Sequence, residues 1–259
     1  MSAYLIRFVT VAVYLFLFAP ILVVVALSFN SSQFGSFPFQ NFTFHWYATL
    51  IQNEAIVSAV KTSLVLGGLT AVISTSIGFL AALALVRYEF IGKGLILVLI
   101  TSPLLIPETV LGVGLLLFTR TLGLPRSFWL LLVGHVVLTL PFVVMVVQAR
   151  LIGIKRTYEE AARTLGANQA EVLRTVTLPL LFPALLAGGL LAFTVSFDNI
   201  TASMFWRPGG MQTVPTEIFA MLRNSISPEI NALGTMMIVF TLLLPIVAGL
   251  ILRRKNRAL

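Results

Sequence analysis

Cysteine is absent and charged side chains are scarce, at 10% of the sequence. Without a thiol, neither a disulfide framework nor a thiolate metal site can form. The two histidines, His45 and His135, are far apart and form no HExxH-type cluster, so neither metal chemistry nor a resident cofactor is expected. A phosphate-binding loop of the form GxxxxGK[ST] is also missing. Its nearest approach, Gly92-Lys93-Gly94, lacks the upstream glycine and the hydroxyl residue, so the chain is not expected to hydrolyse ATP itself. Ser58-Ala59-Val60-Lys61 has the SxxK spacing of an acyl-transfer enzyme but no SDN or KTG companion, and reads better as a helix entry. No nucleophile, base and orienter set emerges, so the chain does not read as an enzyme.

What fills the sequence is apolar. Hydrophobic residues make up 58% of the 259 positions and the mean hydropathy is +1.02, whereas soluble domains carry roughly 25% charged residues. These values describe an integral membrane protein. A crossing needs about 20 mostly apolar residues, because a helix pairs internally every backbone amide that hydrocarbon cannot satisfy. Six stretches qualify, at about 8–28, 62–86, 94–118, 127–149, 181–205 and 229–252. The run from Phe8 to Leu27 exceeds the roughly 7–15 residues of a signal-peptide core and is read as a retained first span. Residues 1–259 thus read as one all-α transmembrane domain of six helices.

An even number of spans puts both termini on one side. If that side is the cytoplasm, twelve of the basic residues fall inside, among them Arg7, Arg87, Lys93, Arg150 and the tail Arg253-Arg254-Lys255-Asn256-Arg257; five, Lys61, Arg120, Arg126, Arg207 and Arg223, fall outside. The positive-inside bias therefore favours cytoplasmic termini. The net charge of +8 is read against anionic lipid rather than nucleic acid. Two sizeable outside loops remain, about 29–61 and 206–228, with one inside loop at about 150–180. The first outside loop holds Phe34, Phe37, Phe39, Phe42, Phe44, Trp46 and Tyr47, suited to packing at the membrane surface or to recognition of a partner.

The inside loop carries its own punctuation. Thr157 with Glu160 has the spacing of a capping box, Gly166 stands where a left-handed residue ends a helix, and Asn168 with Glu171 starts a second helix. Pro179 marks where that second helix must bend or stop. Small Ala161 and Ala162 beside Glu159, Glu160, Arg163, Glu171 and Arg174 suit close docking of a partner, or else a self-contained hairpin.

Glu160-Ala161-Ala162, three residues, Gly166, nine residues and then Val176-Thr177-Leu178-Pro179 resemble the EAA loop of ABC importer permeases, with valine for isoleucine as the one departure. Further likeness, to the spermidine/putrescine permease branch, lies in Ser28-Phe29-Asn30-Ser31-Ser32, Pro107-Glu108, Leu140-Pro141-Phe142, Ser196-Phe197-Asp198-Asn199 and Ser227-Pro228-Glu229-Ile230-Asn231-Ala232-Leu233. The resemblance implies a type I (MetI-like) ABC importer transmembrane domain in the inner membrane. It further implies two cytoplasmic ATP-binding subunits, a second homologous permease subunit and an extracytoplasmic solute-binding protein. Glu160, Ala161, Ala162, Gly166, Leu178 and Pro179 would couple to the ATPase. The implied cargo is a small organic cation of the polyamine type. Opine, phosphonate and amino-acid-like permeases look similar in these regions. A secondary transporter is the rival from another class, but no inverted repeat relates residues 8–118 to 127–252.

Within the spans, Glu108 and Asp198 are the ionisable residues set well inside. An acid at the bilayer centre costs about 2.5–3.5 kcal/mol on insertion scales, so something must offset it. Pro103 and Pro107 break the third stretch beside Glu108, and broken helices at depth line cavities. A continuous helix through Asp198 would place Thr194 and Thr201 on its face. These four residues read as a cation pathway, or as protonated groups bonded within helix packing. The polyamine branch often has a second acid after the position of Asp198; here Asn199 stands instead. Small residues (Ser74, Gly78, Ala81, Ala82, Gly188, Gly189) fit internal packing or a dimer contact. His135 fits a hydrogen-bonded packing role rather than a proton relay.

Overall fold

The computed structural model describes residues 3–33, 38–224 and 227–257. Among these residues no strand forms, and the single isolated bridge pairs Asn30 with Phe42. Among the described residues, five helices are long and apolar enough to cross a membrane: Tyr4–Leu27, Glu54–Arg87, Phe128–Ile152, Gln169–Phe197 and Glu229–Leu250. The third expected span is a bent pair, Lys93–Leu104 and Glu108–Thr121, meeting at 108°. Pro103 and Pro107 are the cause, since a proline removes a ladder donor and its ring clashes with the carbonyl four residues back.

The described residues divide into two compact units, one within Met1–Val60 and Thr216–Leu243, the other within Lys61–Pro215 and Leu244–Leu259. In the first unit, helix α1 (Ala3–Leu27) is followed by a turn in which Asn30 Oδ1 accepts from the Gln40 amide at 3.0 Å, and Trp46 Nε1 donates to the Asn30 carbonyl at 2.8 Å. Phe29 stacks on Phe42 with ring centroids 5.0 Å apart and meets Phe44 and Tyr47, each at 5.4 Å. The aromatic loop thus packs partly on itself. A short helix, α2 (His45–Gln52), also rises within it. Phe34 and Phe37 lie outside the described residues. Helix α3 (Glu54–Arg87) starts well before residue 62, because Asn53 Oδ1 accepts from the Ala55 amide at 3.1 Å and so caps it. At 34 residues it is about 50 Å long, more than the hydrocarbon layer needs.

The second unit is built around α6 (Phe128–Ile152), whose Val143, Val144, Val147 and Leu151 are fully buried. The rest of α3, α4 (Lys93–Thr101), α5 (Glu108–Thr121), α9 (Leu178–Phe197) and α10 (Ile200–Trp206) belong to the same unit. One cluster gathers Ala82, Val143, Val147, Leu151, Leu181 and Ala192; a second gathers Leu66, Leu131, Leu138, Ala202 and Trp206. A Cβ on Gly78 would lie 2.7 Å from Val143 Cγ1, and one on Gly188 would lie 3.4 Å from it, so both glycines serve close approach to α6 inside the unit. Helices α7 (Arg156–Thr164), α8 (Gln169–Val172) and a π-helical turn, Leu173–Thr177, connect α6 to α9. Helices α11 (Val214–Asn224) and α12 (Glu229–Arg257) complete the chain order.

Candidate functional site

Two places in the second unit bring the expected residues together. The first is the connection from α6 to α9. Helix α7 begins at Arg156 with Lys155 as its N-cap, whose backbone is extended and whose side chain makes no capping bond. Thr157 is therefore already inside the helix and does not cap it; the turn through Gly153 and Ile154 sets the start instead. Gly166 does end α7, at φ +93°, a conformation that costs a side-chain-bearing residue about 1–2 kcal/mol. The Ala167 amide donates to the Ala162 carbonyl at 3.1 Å and the Gly166 amide to that of Arg163 at 2.9 Å, which closes a Schellman motif. Asn168 Oδ1 then accepts from the Ala170 and Glu171 amides, both at 3.0 Å, while Glu171 Oε2 accepts from the Asn168 amide at 2.7 Å. This is the capping box read from the sequence.

Pro179 neither stops nor sharply bends this second helix, contrary to its sequence reading. The widened π turn over Leu173–Thr177 comes immediately before it and shifts the hydrogen-bond ladder, so Pro179 falls in the first turn of α9, where its missing donor matters least. Leu178 opens α9 beside it.

The loop is held by charges that the motif does not include. Glu159, 8% exposed, accepts from Arg87 Nε at 3.0 Å and lies 3.0 Å from Arg87 Nη2. The same Glu159 Oε1 accepts from the Thr177 hydroxyl at 3.2 Å. Arg87 Nη2 donates also to the Ile154 carbonyl at 3.1 Å, and Arg156 Nη2 donates to the Val86 and Arg87 carbonyls at 3.2 and 3.3 Å, covering the C-terminal end of α3. Gln169 Nε2 donates to the Tyr88 hydroxyl at 2.6 Å. These groups border a cleft of about 420 Å³. Glu160 also lines it and is exposed, as are Ala161 and Leu165, so the face offered outward is the one carrying the motif glutamate. Nearby, a hydrogen bond from Lys93 holds the Glu89 carboxyl below the usual carboxylate range.

The second place is where two helix breaks meet. Glu108 is the first residue of α5, after Pro107 in extended backbone. Asn199 Nδ2 donates to Glu108 Oε2 at 3.2 Å. Helix α9 ends at Phe197, Asp198 closes it, and Asn199 turns extended and caps α10, its Oδ1 accepting from the Ala202 amide at 2.7 Å. The continuous stripe expected through Asp198 is thus broken. Thr194 lies on α9, its hydroxyl bonded to the Leu190 carbonyl at 3.0 Å, while Thr201 lies in the first turn of α10 beyond the break. The physical reason is Asn199, whose side chain competes for backbone donors and restarts the helix.

His135 braces this break from α6. Its Nδ1 is 2.8 Å from Ser196 Oγ on α9 and its Nε2 is 3.3 Å from Ser203 Oγ on α10. Ser196 donates further to Thr70 on α3 at 3.3 Å. Trp206 Nε1, at the end of α10, donates to the Gly112 carbonyl of α5 at 2.9 Å. Sequence pattern marks Asn199 only as a missing acid and Glu159 only as one flanking charge; partners so distant in the chain leave no local signal.

A bent third span, a broken fifth and a capped two-helix connector between α6 and α9 define an ABC importer permease fold. The chain shares that fold, with a TM-score of 0.77 over 97% of its length and 18% identity, with a chain of the bacterial alginate ABC transporter crystallised with an alginate pentasaccharide-bound periplasmic protein, covering 93% of that chain. Residues 74–258 match the family described as binding-protein-dependent transport system inner membrane component, and the protein belongs to that family. It is 38% identical over 246 residues to the spermidine/putrescine transport system permease protein PotC of Escherichia coli (strain K12), covering 95% of this chain and 93% of that one. Identity to the putrescine transport system permease protein PotI of the same strain is 36% over 230 residues, covering 86% and 82%. The chain is therefore a multi-pass membrane protein of a family of binding-protein-dependent inner-membrane transport components.

Proposed function

We propose that the protein is one of two homologous permease chains that carry a polyamine, spermidine or putrescine, inward across the inner membrane. The observation that carries the reading is 38% identity to a spermidine/putrescine permease along 95% of the chain. Both termini face the cytoplasm, as the excess of basic residues on that side supports. Two ATP-binding subunits power the pair, and one of them docks on residues 150–180, where exposed Glu160, Ala161 and Leu165 supply charge and close approach. Gly166 fixes the turn between the two helices there, and Leu178 and Pro179 lead the movement into α9. Hydrolysis takes place on those subunits, consistent with the lack of a phosphate-binding loop here.

The cargo passes the helix breaks at Glu108 and Asp198, both exposed carboxylates. An ammonium group arriving there meets negative charge on backbone that the breaks hold open. Thr194 and Thr201 flank the route from the two sides of the Asp198–Asn199 break. Asn199 in place of a second acid favours one further reading, the same machinery acting on a solute with fewer positive charges. Competition between radiolabelled spermidine, putrescine and mono-cationic amines for ATP-driven uptake separates the two. Polyamine uptake that unlabelled polyamines displace, and that Glu108→Gln or Asp198→Asn lowers at least tenfold, supports the proposal. Unchanged uptake in both variants at normal expression sinks the pathway assignment.

A further inference from the structure

The motif glutamate, Glu160, points outward, yet its neighbour Glu159 is buried and holds the connector to two transmembrane helices at once. Its Oε1 is 3.0 Å from Arg87 Nε at the C-terminal end of α3 and 3.2 Å from Thr177 Oγ1 in the π turn that opens into α9. Side-chain exposure at Arg87 and Glu159 is only 10% and 11%. A charge pair so withdrawn from water holds its geometry far more firmly than an exposed one, because loss of either partner strands the other. Each helix then runs from this carboxylate toward the second site. Helix α9 ends at Phe197, with Asp198 as its C-cap, and Ser196 near that end donates to Thr70 of α3 at 3.3 Å.

Resting on the ABC-permease reading above, we infer that Glu159 is a positioning residue that converts displacement of α7 by the ATPase into concerted movement of α3 and α9. Glu160 and Ala161 receive the push on the outer face of α7; Glu159 delivers it on the inner face. The π turn places Thr177 within reach of the carboxylate, which a regular helical register ahead of Pro179 would not guarantee. Severing the Thr177 bond removes the carboxylate's hold on α9 alone; severing the Arg87 pair removes its hold on α3 as well, leaving the bonds of Arg87 to Ile154 and of Arg156 to Val86 and Arg87 in place. The two cuts differ in degree. Both leave the docking face of α7 intact.

The test reconstitutes the whole transporter, with its ATP-binding and solute-binding subunits, in proteoliposomes and measures radiolabelled putrescine taken up per ATP hydrolysed. Glu159→Gln is expected to lower that ratio at least tenfold and Thr177→Val about threefold, while Thr177→Ser, which restores the hydroxyl, returns it to the wild-type value. A wild-type ratio in Thr177→Val and Glu159→Gln overturns the inference. So does a parallel fall of uptake and hydrolysis in proportion to assembled complex, which is the mark of a merely structural role. Should Glu159→Gln fail to assemble, the Thr177 pair still decides, because a buried hydroxyl can be removed without stranding a charge. Wild-type vesicles that hydrolyse ATP but take up no putrescine refute the cargo assignment instead, and the coupling ratio is then read with the radiolabelled mono-cationic amine that those vesicles take up.

Discussion

Adding one methyl group at Gly134 should dislodge the buried end of α10. A Cβ built there collides with the Cε3–Cζ3 edge of the indole of Trp206, a residue 1% exposed whose indole nitrogen is bonded to the Gly112 carbonyl. Gly112 cannot move aside to make room, since its own Cβ position is filled by the Phe205 ring. In Gly134→Ala the indole must therefore leave its slot. Overpacking of this kind costs about 1–3 kcal/mol, and the buried donor and acceptor left unmatched cost about 1–3 kcal/mol more. A total near 4 kcal/mol lowers the melting temperature by about 10 °C for a chain of this size. The assay is thermal unfolding of the purified protein in detergent, followed by tryptophan fluorescence. Of the three tryptophans, Trp129 is already 70% exposed, so with Trp46 replaced by Phe in both proteins a red shift at low temperature reports Trp206 leaving its site. In Gly134→Ala/Trp206→Leu the loss should be far less than the sum of the single losses, because the clash is removed. A melting temperature within about 2 °C of wild type in Gly134→Ala, or additive losses in the double variant, would refute the reasoning.

Three further outcomes are expected. Gly166→Ala meets open space, so only the left-handed backbone is penalised; a loss of about 1–2 kcal/mol and reduced uptake are expected, with Gly166→Asn milder, measurable by thermal unfolding and vesicle transport. Asn168→Ala removes the two capping bonds to the Ala170 and Glu171 amides and should cost about 1 kcal/mol, seen as faster hydrogen exchange confined to α8 and the π turn. His135→Ala leaves Ser196 and Ser203 without their imidazole partner and opens a cavity, so a loss of about 2–4 kcal/mol is expected. His135→Asn, which can still bond one serine, should recover part of it, and equal melting temperatures for the two variants would contradict the bracing role.

Long apolar runs made the spans legible, because hydrocarbon leaves the backbone no alternative to a helix. Gly166 and the pair Asn168 and Glu171 were equally readable, since each acts within a few residues of itself in the chain. Legibility failed where a distant partner or a competing local bond decided. The start of α7 follows a turn at Gly153 rather than the Thr157 hydroxyl, and the helix across Pro179 survives through a π turn that no residue pattern announces. Asn199 shows the limit most clearly. As a letter it is one substitution after Asp198; in the fold it ends one helix, caps the next and reaches Glu108.

In the proposed function, ATP hydrolysed on separate subunits drives a polyamine through this chain. Uptake of radiolabelled spermidine and putrescine into proteoliposomes containing the assembled transporter tests it most directly. Uptake should require ATP and the solute-binding protein, persist without an ion gradient, and stop when the ATP-binding subunits are omitted. Polyamine uptake that an ion gradient alone sustains, with no response to ATP, would contradict it.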